Sequence, residues 1–156
     1  MALPVTRQYI PPNGQNMTLH TGGIAPDFQT EIQNGLISLH EWAGSSWIFF
    51  FSHPADFTRV CTTEMGRSAQ LAGEFEKRNV KPLGLSTETT KKHRKWIEDV
   101  NDTQHTDLKS SILADADQSI ARVSDMIHPA IHQEAATLFP QGWTTLRPYL
   151  RTINVA

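Results

Sequence analysis

The sequence predicts one α/β domain built on a largely parallel β-sheet. Two observations predict it: short apolar strands alternate with amphipathic helices along the chain, and 156 residues of which 38% are hydrophobic suffice for one core. The strand predicted over residues 47–51 is apolar at every position, which is typical of a strand covered by helices on both faces. We therefore expect it at the centre of the sheet.

The first elements follow a segment rich in turn-forming residues. Prolines and glycines recur through residues 1–27, so we expect residues 1–21 to form an arm that leads into the domain. Asn34-Gly35 predicts a tight turn, and residues 36–39 predict a short strand after it.

Periodic apolar positions predict the helices. Between residues 62 and 79 they recur at steps of three and four, which indicates one amphipathic helix with Cys61 at its entrance. His93, Trp96 and Val100 indicate a second helix, and residues 119–127 a short last one that stops before Pro129.

Two further strands are predicted between these helices, over residues 80–86 and 112–114. Pro82 removes one backbone donor from the first of them, so we expect a bulge or a sheet edge there.

Composition excludes several classes of function. The formal charge of −2 gives no field that would recruit nucleic acid or an anionic membrane, and the basic residues 91–95 predict a solvated helix face. Residues 1–16 lack the pattern of a targeting signal, and no apolar run is long enough to span a bilayer. Histidines outside the motif described next show no metal-ligand spacing, so we expect no metal. A single cysteine fits a reducing compartment, by default the cytoplasm.

That cysteine, Cys61, lies in the segment 52–64 between the apolar strand and the first long helix, where open α/β sheets place their sites. Helix N-terminal amides stabilise an anion and so favour the nucleophilic thiolate. Thr58 can bring its hydroxyl near the sulfur, and Pro54 can shape the loop. A cysteine taken alone is more often a small buried apolar residue.

The residues around Cys61 resemble a known signature. Pro54, Thr58 and Cys61 match the peroxide-site motif of peroxiredoxins, and their flanking residues are similar to the one-cysteine subfamily, as are segments 25–28 and 39–42. This resemblance covers residues 22–129 and implies a three-layer, thioredoxin-like domain there.

The resemblance also implies an activity, a thiol-dependent peroxidase that acts on hydrogen peroxide or alkyl hydroperoxides through a Cys61 sulfenic acid. With no second cysteine, an external reductant such as thioredoxin, glutathione or ascorbate is required. No cofactor is implied, and a homodimer or higher homo-oligomer is expected. His53 matches a histidine that lies close to the sulfur in one-cysteine members, although it could equally hold the loop by hydrogen bonds.

The chain departs from the family after residue 129. Segments 134–143 and 148–151 resemble the subfamily's extreme C-terminus but follow residues 126–129 almost at once. We interpret this as an internal deletion that leaves residues 130–156 as a remnant and removes the last sheet strands and the active-site arginine. Arg59 stands where the family usually has proline, and Arg122, Arg147 and Arg151 match no motif. Loss of the arginine predicts weakened activity.

Three alternatives remain at this point. The chain could be an impaired, self-associating remnant with a chaperone-like or no enzymatic role. It could be a cysteine hydrolase that uses Cys61 and His53. A lipase-like site with His40 and a serine of segment 44–47 is less favoured, because Ile48 replaces a glycine of that motif.

Overall fold

The computed structural model describes residues 25–53, 55–124, 126 and 151–153. The chain forms, in order, β1 (Gln29–Ile32), β2 (Gly35–Ser38), α1 (Leu39–Ala43), β3 (Trp47–Ser52), α2 (Arg59–Gln70), α3 (Ala72–Lys77), β4 (Val80–Ser86), α4 (Thr90–Gln104), β5 (Ser111–Ala114), α5 (Ser119–Val123) and β6 (Arg151–Ile153). The arm expected over residues 1–21 lies outside the described residues.

The strands form one mixed sheet in the order β2-β1-β5-β4-β3-β6. Strands β3, β4 and β5 are parallel, whereas β1, β2 and β6 run antiparallel to their neighbours. The predicted α/β class with a parallel centre is confirmed. The central position expected for β3 is wrong, because β4 separates β3 from β5. An all-apolar run shows that both faces of a strand are covered, but it does not show how many strands lie on each side.

Two apolar clusters cover the two faces of the sheet. Ile48 and Phe50 of β3 pack in the cluster that contains Leu39 of α1 and Ile120 of α5. Phe51 packs instead against the cluster that contains residues of α2 and α4, namely Cys61, Met65, Ala69, Trp96 and Val100. Since successive side chains of a strand point to opposite faces, the fold has three layers, and the predicted thioredoxin-like architecture is confirmed.

The sequence predicted that the sheet lacks its last strands, but a short strand, β6, pairs with the outer edge of β3. Arg151, Thr152 and Ile153 pair antiparallel with Phe50, Phe49 and Ile48. The outer edge of β3 is thus paired over three residues.

Pro82 needs neither the predicted bulge nor a sheet edge. It pairs with Phe49 of β3, while the pairing of β4 with β5 begins one residue later, at Leu83 and Ser111. Because β5 starts beyond Pro82, this interior strand tolerates the missing donor.

Several predicted boundaries shift. The turn of the first hairpin falls on Gln33 and Asn34, and Gly35, with φ of 134°, opens β2. The sequence prediction missed β1.

Gln33 links the hairpin of β1 and β2 to β5. Its side chain donates a hydrogen bond to Ser110 O and accepts one from Ile112 N, both at 2.9 Å.

The predicted helix 62–79 consists of two helices. α2 begins earlier, at Arg59, so Cys61 lies inside its first turn, and Leu71 separates α2 from α3. Gly73, which disfavours helix, follows this break. α5 ends at Val123, earlier than predicted, and residue 127 lies outside the described part. No helix in the described part of the chain is long and apolar enough to cross a membrane.

Candidate active site

The loop between β3 and α2 positions the thiol. His53 N donates to Leu85 O at 3.0 Å, which extends the pairing of β3 with β4 by one residue. Phe57 then takes a left-handed conformation, with φ of 63°, and Thr58 is the N-cap of α2. A non-glycine residue with positive φ is uncommon and turns the chain sharply. Cys61 follows as the third residue of α2.

Cys61 is 6% exposed and packs in the α2–α4 cluster with Met65 and Trp96. Its position in the first turn places it near the backbone amides that have no partner within the helix and near the positive end of the helix dipole. Thr58 O accepts the first helical hydrogen bond, from Thr62 N at 2.9 Å. The Thr58 hydroxyl donates to Ala55 O at 3.3 Å and so stabilises the loop.

A cavity of about 370 Å³ opens beside Cys61. Its lining is mainly apolar, from Phe49, Phe51, Met65, Leu71 and Phe75. The polar side chains of the lining are Ser52, His53, Glu64, Arg67 and Ser68. Phe49 is central to the aromatic wall, with its ring 5.4 Å from that of Phe51 and 5.7 Å from that of Phe75. The cavity therefore offers a small or apolar molecule a largely apolar space beside the sulfur.

A buried carboxylate joins two histidines next to this cavity. Asp56 Oδ1 accepts a hydrogen bond from His53 Nε2, and Asp56 Oδ2 accepts one from His93 Nδ1, both at 2.8 Å. Burial on its own would raise the pKa of Asp56. The hydrogen bonds from His53 and His93, with the charge of these rings, outweigh it and hold the pKa below its ordinary value of 3.8.

The second nitrogen of each histidine is also buried. His53 Nδ1 and His93 Nε2 have no hydrogen-bond partner among the residues that the structure describes. The His53 ring lies 4.7 Å, centroid to centroid, from the ring of Trp96, whose Nε1 donates to Thr62 Oγ1 at 3.0 Å. His53 is thereby fixed between the loop and the α4 helix.

The structure brings Cys61 and His53 to one cavity and places Thr58 at the cap of the helix that carries the thiol. The sequence analysis considered His53 either in the pocket or as a residue that holds the loop. In the structure His53 lines the cavity and also bonds the loop residue Asp56. Pro54 lies outside the described residues.

Sequence reasoning missed Asp56 and His93. Asp56 lies three residues after His53, a spacing that is compatible with contact inside a loop, but this signal is weak. The sequence analysis placed His93 on the apolar face of its helix. Nothing in that helix indicates its hydrogen-bond partner, Asp56, which lies 37 residues earlier. Only the packing of α4 against the loop reveals the cluster.

The arginines take different positions. Arg59 is exposed at the first position of α2, and Arg122 is exposed on α5. Arg67, which sequence reasoning did not single out, lines the cavity and donates to Gln70 Oε1 at 3.1 Å. Arg147 and the side chain of Arg151 lie outside the described part.

The lipase-like residues have structural partners. His40 Nε2 donates to Ala25 O at 2.8 Å, and the Ser46 hydroxyl donates to Asn79 Oδ1 at 2.8 Å. These contacts support a structural role for both residues. Across the described ranges, no group of three His, Cys, Asp or Glu side chains could hold a metal ion.

Comparison with known proteins agrees with this geometry. Residues 21–145 match the AhpC/TSA family, and the chain belongs to that family. It is 46% identical over 111 residues to the 1-Cys peroxiredoxin of Dictyostelium discoideum, a match that covers 71% of this chain and 46% of the relative. The predicted resemblance to one-cysteine peroxiredoxins is confirmed.

Solved structures give the same result. The yeast mitochondrial 1-Cys peroxiredoxin, studied for thiol resolution by glutathione and thioredoxin systems, superposes with a TM-score of 0.68 at 40% identity over 70% of this chain and 52% of its own. A mutant of the Peroxiredoxin 6 of Arenicola marina superposes with a TM-score of 0.66 at 40% identity, over 72% of this chain and 51% of its own. The chain thus spans about half the length of the relatives that it matches.

Proposed function

We propose that this chain is a thiol-dependent peroxidase that reduces hydrogen peroxide or alkyl hydroperoxides through Cys61, in antioxidant defence and redox homeostasis. The observation that carries the proposal is the position of its only cysteine. Cys61 lies in the first turn of α2 and shares a largely apolar cavity with His53, in a chain that belongs to the AhpC/TSA family.

The chemistry follows from a thiolate in such a cavity. The Cys61 thiolate attacks one peroxide oxygen, an S–O bond forms as the O–O bond breaks, and the second oxygen leaves with a proton as water or alcohol. Cys61 is then a sulfenic acid. His53 serves this step from the cavity wall, while Thr58 and Pro54 shape the loop around the sulfur.

Regeneration requires an external reductant. Two equivalents of thiol convert the sulfenic acid to thiol and water and are themselves oxidised to a disulfide. Thioredoxin and glutathione are suitable, since the yeast relative is described with these systems, and ascorbate is a further option. A reducing compartment such as the cytoplasm would supply them, and the chain would act as a homodimer or higher homo-oligomer.

The missing family arginine limits the expected rate. Arg67 is the arginine that lines the cavity in the described part of the chain, and its guanidinium is bonded to Gln70. Arg67 is exposed and is not the arginine of the family motif, so we expect a slower reaction than the family site supports. The non-enzymatic alternative is not favoured, because the relatives are named peroxiredoxins.

Substitution of the thiol tests this function. Cys61→Ser should abolish peroxide consumption in the presence of thioredoxin, glutathione or ascorbate, because a hydroxyl does not form the reactive anion at neutral pH. The control is Ser46→Ala, which removes a surface hydroxyl away from the cavity and should keep the activity. Equal peroxide consumption by the Cys61→Ser and unmodified chains would contradict the proposal.

A further inference from the structure

The two hydrogen bonds at Asp56 determine where the histidine protons lie. An ionised carboxylate only accepts hydrogen bonds, and its two oxygens here each face one ring nitrogen. His53 must therefore donate from Nε2 and His93 from Nδ1. A neutral His53 then carries its proton on Nε2 and a lone pair on Nδ1.

The nitrogen that Asp56 leaves unbonded belongs to a ring that lines the cavity beside the thiol. His53 Nδ1 is buried without a hydrogen-bond partner in the described part of the chain, and His53 is 4% exposed. His53 and Cys61 line the same cavity. Nothing in the described residues thus competes for the basic nitrogen.

We propose that Asp56, held in place by His93, is a positioning residue that fixes the tautomer and orientation of His53 and thereby makes His53 the proton acceptor for the Cys61 thiol. The inference rests on the proposed function only in that it takes Cys61 as the reacting group.

The proposed step is a proton transfer. The S–H bond of Cys61 breaks, its electron pair stays on sulfur, and the proton binds His53 Nδ1 to give a thiolate and an imidazolium. Asp56 lies against the imidazolium and offsets its charge. Among the described residues, the titratable or charged groups near His53 are Asp56 in the loop, which bonds it, and His93 of α4, whose ring lies 6.3 Å away, centroid to centroid. Cys61, Glu64 and Arg67 of α2 line the same cavity as His53.

The rate of alkylation by iodoacetamide reports on this step, because the chain has one thiol and the thiolate is the reacting form. In Asp56→Asn the imidazolium loses its counter-charge, so the pH midpoint of alkylation should rise by about one unit or more. A carboxylate that acted only by repelling the thiolate would give the opposite sign, since its removal would lower the midpoint.

Variants of His93 separate positioning from folding. His93→Leu removes the second donor to Asp56 and should raise the midpoint in the same direction as Asp56→Asn. His93→Asn places an amide donor near the position of Nδ1 and should restore most of the change. The matched control is Gln33→Met, which removes two buried hydrogen bonds, with Ser110 O and Ile112 N. It should leave the midpoint unchanged, because strands β5 and β4 lie between the Gln33 hairpin and β3.

An unchanged or lowered midpoint in Asp56→Asn, or a Gln33→Met variant that shifts as far as His93→Leu, would overturn the inference. Alkylation needs no peroxide, so the outcome is independent of the peroxidase proposal. A chain that fails to consume peroxide but shows the expected shifts would lose its proposed function and keep the positioning role of Asp56.

Discussion

Asp56 is the residue on which the geometry of the loop depends. Its side chain is completely buried, a position in which an unpaired carboxylate would be strongly unfavourable. Two charge-assisted hydrogen bonds, to His53 and His93, offset that cost. The carboxylate therefore links the β3–α2 loop to α4 beside the cavity that Cys61 lines.

The lowered pKa of Asp56 predicts an effect of acid on stability. Its pKa in the folded chain lies below the ordinary value of 3.8, so the ionised group contributes stability above that value and loses it as the pH falls through the folded pKa. Between about pH 5 and pH 3, the unmodified chain should lose more free energy of unfolding than Asp56→Asn. Urea unfolding at each pH measures this difference, and equal losses in both chains would contradict it.

The contact of helix α2 with helix α4 holds Cys61 against the core. Gly66 lies where these helices meet: a Cβ added to it would lie 2.5 Å from Gln104 Cγ and 2.7 Å from Gln104 Cβ. The backbone of α4 fixes the Cβ of Gln104, so rotation of this side chain cannot relieve the overlap. The helices can approach as they do because residue 66 has no side chain.

Gly66→Ala should therefore destabilise the chain, by about 1–3 kcal/mol, because the overlap outweighs the better helix propensity of alanine. Chemical denaturation gives the free energy of unfolding. Adding Gln104→Gly, which removes the opposing atoms, should recover much of the loss. A single Gly66→Ala variant more stable than the unmodified chain would show that the helices adjust at little cost.

The elements also show how far the sequence could predict the fold. Apolar runs identified β3 and β4, and apolar periodicity identified α4, because both patterns report directly on which faces are buried. Neither pattern could locate β3 within the sheet or the end of α2 at Gln70, since both depend on the packing of distant elements. Likewise, the motif located Cys61, Thr58 and His53, whereas Asp56 and His93 meet only through tertiary contact.

The short strand β6 covers part of the outer edge of the sheet. It pairs with residues 48–50 of β3, the strand that leads into the loop before Cys61. Without it, the backbone donors and acceptors on the outer edge of β3 would be free to pair with another chain. The sheet would then promote association between copies.

A chain that ends at Leu150 should consequently self-associate more than the unmodified chain, whereas a chain that ends at Ile153, which keeps β6, should not. Size-exclusion chromatography with light scattering measures the mass of each. Identical masses for the three chains would show that β6 does not protect this edge.

We propose that the fold makes Cys61 a peroxide-reactive thiol. The most direct test of this claim is stopped-flow measurement of the oxidation of Cys61 by hydrogen peroxide, with the product trapped by dimedone, which forms a covalent adduct with sulfenic acids. We predict a dimedone adduct on Cys61 and an oxidation rate at least about tenfold above that of a free thiol at the same pH, as one general-base or electrostatic effect supplies. An oxidation rate no higher than that of a free thiol, or the absence of the adduct, would contradict the claim.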